Sequence, residues 1–368
     1  MTDLWSYLSH TEKPIVLYGT GNGADKILDH LSSLSIPIRG IFASSGFVRN
    51  RTFRGFPVQS YEELLSQFPD MIVLLCFGSS RKEVIENVDR IAEHNEVYAP
   101  DVPVYGRTLF DSTFYHGHAD AFSKVREMLQ DDLSIDTFDR VIRYKLTGDH
   151  TLLRPCEAPP EEICSLLSLP EPASYIDLGA YNGDTVTSYS KLFPRIRDIL
   201  AVEPDRRNYR KLCETVHSLY GPEESNEASS LPETRSFSDG STAVSCVRAL
   251  ISDHDGDAYI PRNRGRGVHE TADAGNTEEL TAISLVTLLS DRKADLIKMD
   301  VEGNEKAAIE GGRTILLRDR PALIVSCYHR SEDLFTLPLL VKEIVPDYKV
   351  YMRHHPHLLC WDTEFIFV

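Results

Sequence analysis

The sequence predicts an α/β protein with two successive doubly wound parallel sheets, and three observations carry that expectation. Short apolar runs alternate with amphipathic stretches over residues 14–110 and again from Ala173 onward. In each set a glycine-rich turn follows the first apolar run directly. The chain then closes on two strand-like segments joined by a short loop. Length agrees, since 368 residues at roughly 150 per domain make two to three domains and exclude a single small module.

Taken in order, the first set offers strands at Ile15–Tyr18, Ile38–Ala43 and Met71–Phe77. Helices are expected at Ala24–Leu34, Tyr61–Gln67 and Arg81–His94, the last with Val84, Ile85, Val88 and Ile91 on one helical face. Residues 111–165 lose strand character, and Ala121–Leu129 and Ile135–Leu146 carry helix-period apolar residues among many charges. Pro155, Pro159 and Pro160 mark the end of that helical connector. The strand rhythm then restarts at Tyr175–Leu178, Ile199–Val202, Val244–Ile251, Leu296–Met299 and Ala322–Ser326. Tyr348–Arg353 and Glu364–Val368 should form an antiparallel hairpin added to the parallel sheet. Gly221–Ser241, rich in Ser, Glu, Pro and Gly, reads as a surface insertion. The expected division is a smaller N-terminal domain at 1–108, a connector at 109–170 and a larger domain at 171–368.

Composition removes several function classes. With 39 basic against 56 acidic residues the net charge is −17, which repels a phosphate backbone, so no nucleic-acid partner is expected. Seven Cys without a C-x-x-C pair argue against a disulfide framework and a zinc ribbon, and most read as buried thiols. The longest apolar run, Met71 to Phe77, is too short for a membrane span, and the first residues lack the basic and apolar regions of a secretion signal. A cytoplasmic location is the resulting expectation.

The most informative segment is Tyr175-Ile-Asp-Leu-Gly-Ala-Tyr-Asn-Gly-Asp-Thr185. A strand ends near Asp177, passes Gly179, Ala180, Tyr181, Asn182 and Gly183, and opens a helix for which Asp184 or Thr185 is the expected N-cap. Glycines there let backbone approach a ligand, and the free N–H groups of the helix start hold a carboxylate. Glu203, 24 residues past Gly179 and followed by Pro204, ends the next strand, where it can accept from both hydroxyls of a ribose. This arrangement points to an adenosyl cofactor. The D-x-G-x-x-x-G spacing differs from the G-x-G-x-x-G of a dinucleotide turn.

That spacing resembles the first motif of class I S-adenosylmethionine-dependent methyltransferases, a family whose sheet also ends in an antiparallel hairpin. The segment Asp295-Leu-Ile-Lys-Met-Asp-Val-Glu-Gly-Asn-Glu305, then Ala307-Ala-Ile-Glu-Gly-Gly312, looks like the signature of FkbM-type methyltransferases. Pro321–His329, Tyr351–His355 and Asp362–Phe365 are similar to that family's later blocks, so the resemblance covers 173–368. It implies a class I methyltransferase sheet behind a Rossmann-like domain, with S-adenosyl-L-methionine as cofactor. The implied reaction is O-methylation of a sugar, glycan or secondary-metabolite hydroxyl.

Methyl transfer to a hydroxyl needs alignment and removal of a proton. Asp300 and Glu302 follow one strand and His329 the next, so His329 or Asp300 is the expected base, Asp300 could instead contact the cofactor, and Glu302 is the residue that orients substrate. The same three residues could gather a divalent cation, but no metal is assigned. Of His354, His355 and His357, consecutive strand positions face opposite ways, so one should line the cleft. Ile251, Ser252 and Asp253 are expected around the adenine, with Asp253 accepting from its amino group. Arg262, Arg264 and Arg266 could clamp an anionic acceptor.

Gly19-Thr-Gly-Asn-Gly-Ala24 also fits a dinucleotide turn by local pattern. Ala43-Ser44-Ser45 stand where its acidic partner should be, with Arg49, Arg51 and Arg54 beyond, a set that could suit a 2′-phosphate. A scaffold or homo-oligomerisation role is the expectation for this domain. Two alternatives remain: an NAD(P)-dependent oxidoreductase using this turn, and a binding module without catalysis.

Overall fold

A computed structural model describes residues 3–44, 51–224, 231–261 and 277–368 of the chain. Its first sheet has strands β1 (Ile15–Tyr18), β2 (Gly40–Phe42), β3 (Thr52–Phe53), β4 (Phe56–Gln59), β5 (Ile72–Leu75) and β6 (Glu96–Tyr98), in the order β3-β4-β2-β1-β5-β6. All pairs but β3·β4 are parallel. β1 and β5 are buried along their whole length, which is why they read as unbroken apolar runs. β3, β4 and β6 lie at or next to the edges, carry few buried residues and left no such signal in the sequence.

The second half supplies β7 (Ala173–Leu178), β8 (Ile196–Val202), β9 (Thr234–Ser238), β10 (Ala243–Val247), β11 (Leu250–Ser252), β12 (Gly256–Pro261), β13 (Thr277–Ser284), β14 (Leu296–Met299), β15 (Ala322–Ser326), β16 (Val350–His354) and β17 (Thr363–Phe367). Eight of them form one sheet, β16-β17-β15-β14-β7-β8-β10-β9. The centre is parallel, and β17 runs antiparallel to both β15 and β16, so the expected terminal hairpin is present. The expected single strand Val244–Ile251 is divided. β10 stays in the large sheet, whereas β11 leaves it to pair with β13 in a sheet of order β11-β13-β12. Arg248 sits at the break, its N–H on the Glu233 carbonyl and its guanidinium on Glu233 and Glu278.

The helical segment between the sheets is part of the larger body. Helix Asp132–Thr147 lies on β16, with Ser134 Oγ accepting from Met352 N–H, while Gln130 N–H donates to the Val350 carbonyl. The exposed edge that β16 would offer is thereby covered. Arg353, fully buried in β16, pairs with Asp131 and Glu162 from the same segment. Lys145 is tied to Asp101 by a buried ion pair, Nζ to Oδ2 3.0 Å, which joins this segment to the stretch after β6. An unpaired charge would be costly there. No helix among the described residues is long and apolar enough to cross a membrane.

Candidate functional site

The carboxyl ends of β7, β8, β14 and β15 open into a cavity of about 1090 Å³. Open α/β sheets bind ligands at this edge. The turn after β7 brings backbone right up to β14. Gly179 has φ +88°, and a Cβ there would lie 1.9 Å from the Asp300 carbonyl oxygen, so no side chain fits. The N–H groups of Gly179 and Ala180 both reach the Val202 carbonyl, which pins the turn to β8. Tyr181 follows at φ 46°.

Helix Asp184–Leu192 starts at Gly183, which occupies the N-cap position with φ +86°. This corrects the expected N-cap: Asp184 is already helical and accepts only from the next N–H, that of Thr185. Thr185 instead donates its hydroxyl to Asp177, buried beneath the turn. Gly179, Tyr181, Asp184 and Thr185 face the cavity. Asp177, Ala180, Asn182 and Gly183 build the turn from behind, Asn182 by accepting from the Thr215 hydroxyl at its carbonyl.

Glu203 stands at the end of β8 beside Pro204, 5 % exposed and on the cavity wall. Its Oε2 accepts from Tyr181 N–H at 3.0 Å and its Oε1 from Asp205 N–H at 2.9 Å. Burial pushes this carboxyl up to about 8, against the lowering effect of those two N–H groups. A ligand bringing hydroxyl donors would favour its ionised form.

The expected adenine neighbours are partly displaced. Ala249, Leu250 and Ile251 line the cavity. Ser252 and Asp253 do not, because β11 ends there and the chain turns toward β12, where the half-exposed Asp253 pairs with His254 Nδ1 at 2.7 Å. Arg262, Arg264, Arg266, Arg49 and Ser45 lie outside the described residues, as do residues 225–230 of the expected insertion.

Asp300 and Glu302 project into the cavity from the end of β14. Lys298, buried inside that strand, holds Asp300 Oδ2 at 3.5 Å, and Tyr328 donates to Asp300 Oδ1 at 3.1 Å. His329 is brought to the same cluster but not to the cavity wall: it is fully buried. Its Nε2 lies 3.3 Å from Asp300 Oδ1 and 3.5 Å from Glu302 Oε2, and its Nδ1 lies 2.9 Å from Glu305 Oε1. Burial opposes its charge, but Glu305, Asp300 and Glu302 raise the imidazole to about 10. The structure thus sets His329 behind Asp300 and Glu302 rather than on the wall.

Of the three C-terminal histidines, His355 lines the cavity as expected of one, with Glu364 3.4 Å from its Nε2. His354 faces the other way, onto the Thr363 hydroxyl, and burial lowers it to about 3. His357 stacks on Trp361. Asp362 also borders the cavity, and burial, then Asp300, raises its carboxyl to about 6. Three non-glycine residues with left-handed backbone, Tyr181, Glu302 and Asp362, meet at this one cavity. Strain of this kind concentrates at working sites.

Sequence reading missed Lys298, Tyr328, Trp361, Asp362 and Glu364 as wall residues. Lys298 had left a signal, a cation inside an apolar strand run. From the N-terminal domain, Asn22 and Gly23 of the first glycine turn line the same cavity, as do Phe77, Tyr105 and Arg107, which left no signal. The segment 100–107 is fastened across the gap. Tyr105 N–H donates to the His329 carbonyl, and its ring occupies the space where a Cβ on Gly303 would lie, 2.8 Å away. The Arg330 guanidinium packs 4.0 Å from that ring.

The first glycine turn reuses the backbone arrangement without the acid. A Cβ on Gly23 would lie 2.2 Å from the Cys76 carbonyl oxygen. Tyr18 stacks on Phe42 and meets Phe77 edge-on beside this turn, and its hydroxyl bonds Ser44 at 2.6 Å. Arg51 is held by Thr20 and Arg54 by Asp25 and Asp29, so neither stands ready for a 2′-phosphate.

Comparison with known proteins agrees with this layout. Residues 177–354 match the family described as Methyltransferase FkbM domain. Among solved structures, a methyltransferase FkbM from Methylobacillus flagellatus is similar at 19% identity, over 97% of this chain and 90% of that one, with a TM-score of 0.71. At that identity the likeness is one of fold. Smaller likenesses are found to a precorrin-6y C5,15-methyltransferase from Geobacter metallireducens (13% identity, 56% of this chain and 85% of that one, TM-score 0.32). Another is Trm1 from Pyrococcus horikoshii, solved with S-adenosyl-L-methionine (10% identity, 56% and 53%, TM-score 0.33). No curated protein matches. Residues 177–354 are therefore similar to FkbM methyltransferase domains, and a smaller α/β domain precedes them.

Proposed function

We propose that the chain transfers a methyl group from S-adenosyl-L-methionine to a hydroxyl oxygen of a sugar, glycan or secondary-metabolite acceptor. One observation carries this reading: Glu203, the Gly179 turn and Asp300 meet at a single cavity. The turn takes the amino-acid end of the donor against the start of helix Asp184–Leu192, and Glu203 takes the ribose hydroxyls. The base packs against Ala249–Ile251.

The acceptor enters between this donor site and the N-terminal wall of Tyr105, Arg107 and Asn22. In the reaction the acceptor oxygen attacks the methyl carbon, the carbon–sulfur bond breaks with its electron pair left on sulfur, and the hydroxyl proton passes to Asp300. Glu302 orients the acceptor. His329, off the wall, positions the two carboxylates. Binding of S-adenosylhomocysteine to the full chain, followed by calorimetry, tests the reading. Glu203→Ala should weaken it about 10- to 100-fold through the lost charge-assisted hydrogen bonds. Unchanged affinity sinks the assignment.

A further inference from the structure

Beyond Asp300 the cavity is bordered by Tyr328, Trp361 and Asp362. The Tyr328 and Trp361 rings lie at 28° to one another with centroids 6.4 Å apart, so they make one nearly continuous aromatic surface. The Tyr328 hydroxyl donates to Asp300 Oδ1 at 3.1 Å, which sets this surface directly beside Asp300. Asp362, the residue after Trp361, is exposed at the cavity and close enough to Asp300 for the two charges to repel. Glu302 borders the same space.

The indole is held in place from the N-terminal domain. A Cβ on Gly78, in the loop after β5, would lie 2.8 Å from Trp361 Cε3 and 2.4 Å from His357 Cε1, so a glycine is what lets that loop approach these rings. Leu358 N–H donates to the Ser79 carbonyl at 3.0 Å, and the His357 ring stacks on the indole at 5.6 Å. A side chain fixed before the ligand arrives loses little freedom on binding. Holding this ring gives the N-terminal domain a task apart from its glycine turn.

Cations bordering the same cavity are largely engaged. Lys298 is on Asp300, His355 on Glu364, and Lys26 on the Pro103 and Val104 carbonyls, while Arg107 is exposed. Asp300, Glu302 and Asp362 therefore present acceptor oxygens around an aromatic surface. A saturated ring bearing hydroxyls matches both features. Its C–H groups, made electropositive by the attached oxygens, lie on the negative ring faces, and its hydroxyls donate to the carboxylates. A planar phenol has too few hydroxyls for three carboxylates, and an anion is repelled by them.

We infer that Trp361 and Tyr328 are the platform for the acceptor ring and that Asp362 accepts from the hydroxyl next to the one methylated, so that the acceptor is an uncharged pyranoside. This rests on the methyltransferase reading and narrows its acceptor class.

The test uses the full chain with methyl hexopyranosides as probes, catechol as the planar phenol and hexose 6-phosphates as the anions. Trp361 emission reports binding, because the other tryptophan, Trp5, is buried edge-on against His30. At least one hexopyranoside should change that emission saturably at millimolar concentration and accept a methyl group from S-adenosyl-L-methionine. Trp361→Ala should raise its KM at least about tenfold and Asp362→Asn about tenfold, both by more than they lower kcat. Trp361→Phe should restore most of the loss, and S-adenosylhomocysteine binding in all three variants shows that they fold. Methylation of catechol or of a hexose phosphate but of no hexopyranoside overturns the inference, as does a KM that Trp361→Ala leaves unchanged. Emission that no hexopyranoside changes overturns it as well. That titration is run with and without S-adenosylhomocysteine, so a failed donor site shows in calorimetry alone and leaves the acceptor result readable.

Discussion

The molecule contains two glycine-rich turns built on the same backbone plan, both bordering one cavity, and among the described residues only the second is followed by a buried carboxylate at the end of the next strand. In both, a glycine lets the turn press on the neighbouring strand's carbonyl, Gly23 on Cys76 and Gly179 on Asp300. They differ at the end of the next strand. β2 runs out into Ala43 and Ser44, and Tyr18, Phe42 and Phe77 pack beside a turn whose Asn22 and Gly23 border the cavity. β8 runs out into Glu203, which opens on a cavity. A glycine turn therefore reports close packing of helix on strand. The buried carboxylate is what sets the second turn apart among the described residues.

The sharpest way to break this comparison is to fill both turns. Gly179→Ala should abolish measurable binding of S-adenosylhomocysteine, since the new methyl collides with the Asp300 carbonyl and the turn must leave its place. Gly23→Ala should lower the melting temperature of the chain yet leave that affinity within about threefold. Equal losses of affinity would mean that both turns serve one ligand.

A smaller effect is expected from the chemistry beside the second turn. Asp300→Asn should reduce kcat about 10²- to 10⁴-fold with donor affinity retained, as for a lost proton acceptor. An unchanged kcat in a methyl-transfer assay would remove Asp300 from that role.

The mildest test uses pH and again separates the two turns, because only the second has a buried carboxylate. Glu203 has its carboxyl raised from 4.5 to about 8, so the folded chain holds that proton more tightly than the unfolded chain. The stability it contributes is present below pH 4.5 and is lost as pH rises toward about 8. The ligand prefers the ionised form, so S-adenosylhomocysteine should bind more tightly as pH rises to about 8, by at most about tenfold per unit, and release close to one proton at neutral pH. Calorimetry in buffers of different ionisation enthalpy measures that proton. An affinity independent of pH in the unaltered chain would contradict the assignment.

Legibility followed burial. Strands buried on both faces, such as Ile15–Tyr18 and Leu296–Met299, were plain in the sequence because both faces demand apolar residues. Edge strands such as Thr52–Phe53 were not, and the break after Val247 was hidden because β10 and β11 are equally apolar while belonging to different sheets. The same holds for the site. Gly179 and Glu203 were legible from fixed spacing along one βαβ unit, which sets their distance whatever surrounds them. Asp253 was misread because its direction depends on where β11 stops.

By itself the sequence determined the two α/β units, the terminal hairpin and the second glycine turn with its acid, since each is specified by periodicity or spacing within about 30 contiguous residues. Only the tertiary structure decided that His329 sits behind Asp300 and Glu302 with Glu305 at its back, and that Tyr105 closes on Gly303 from a domain nearly 200 positions earlier. Contacts between distant segments depend on how whole sheets and helices pack, and no local pattern encodes that distance.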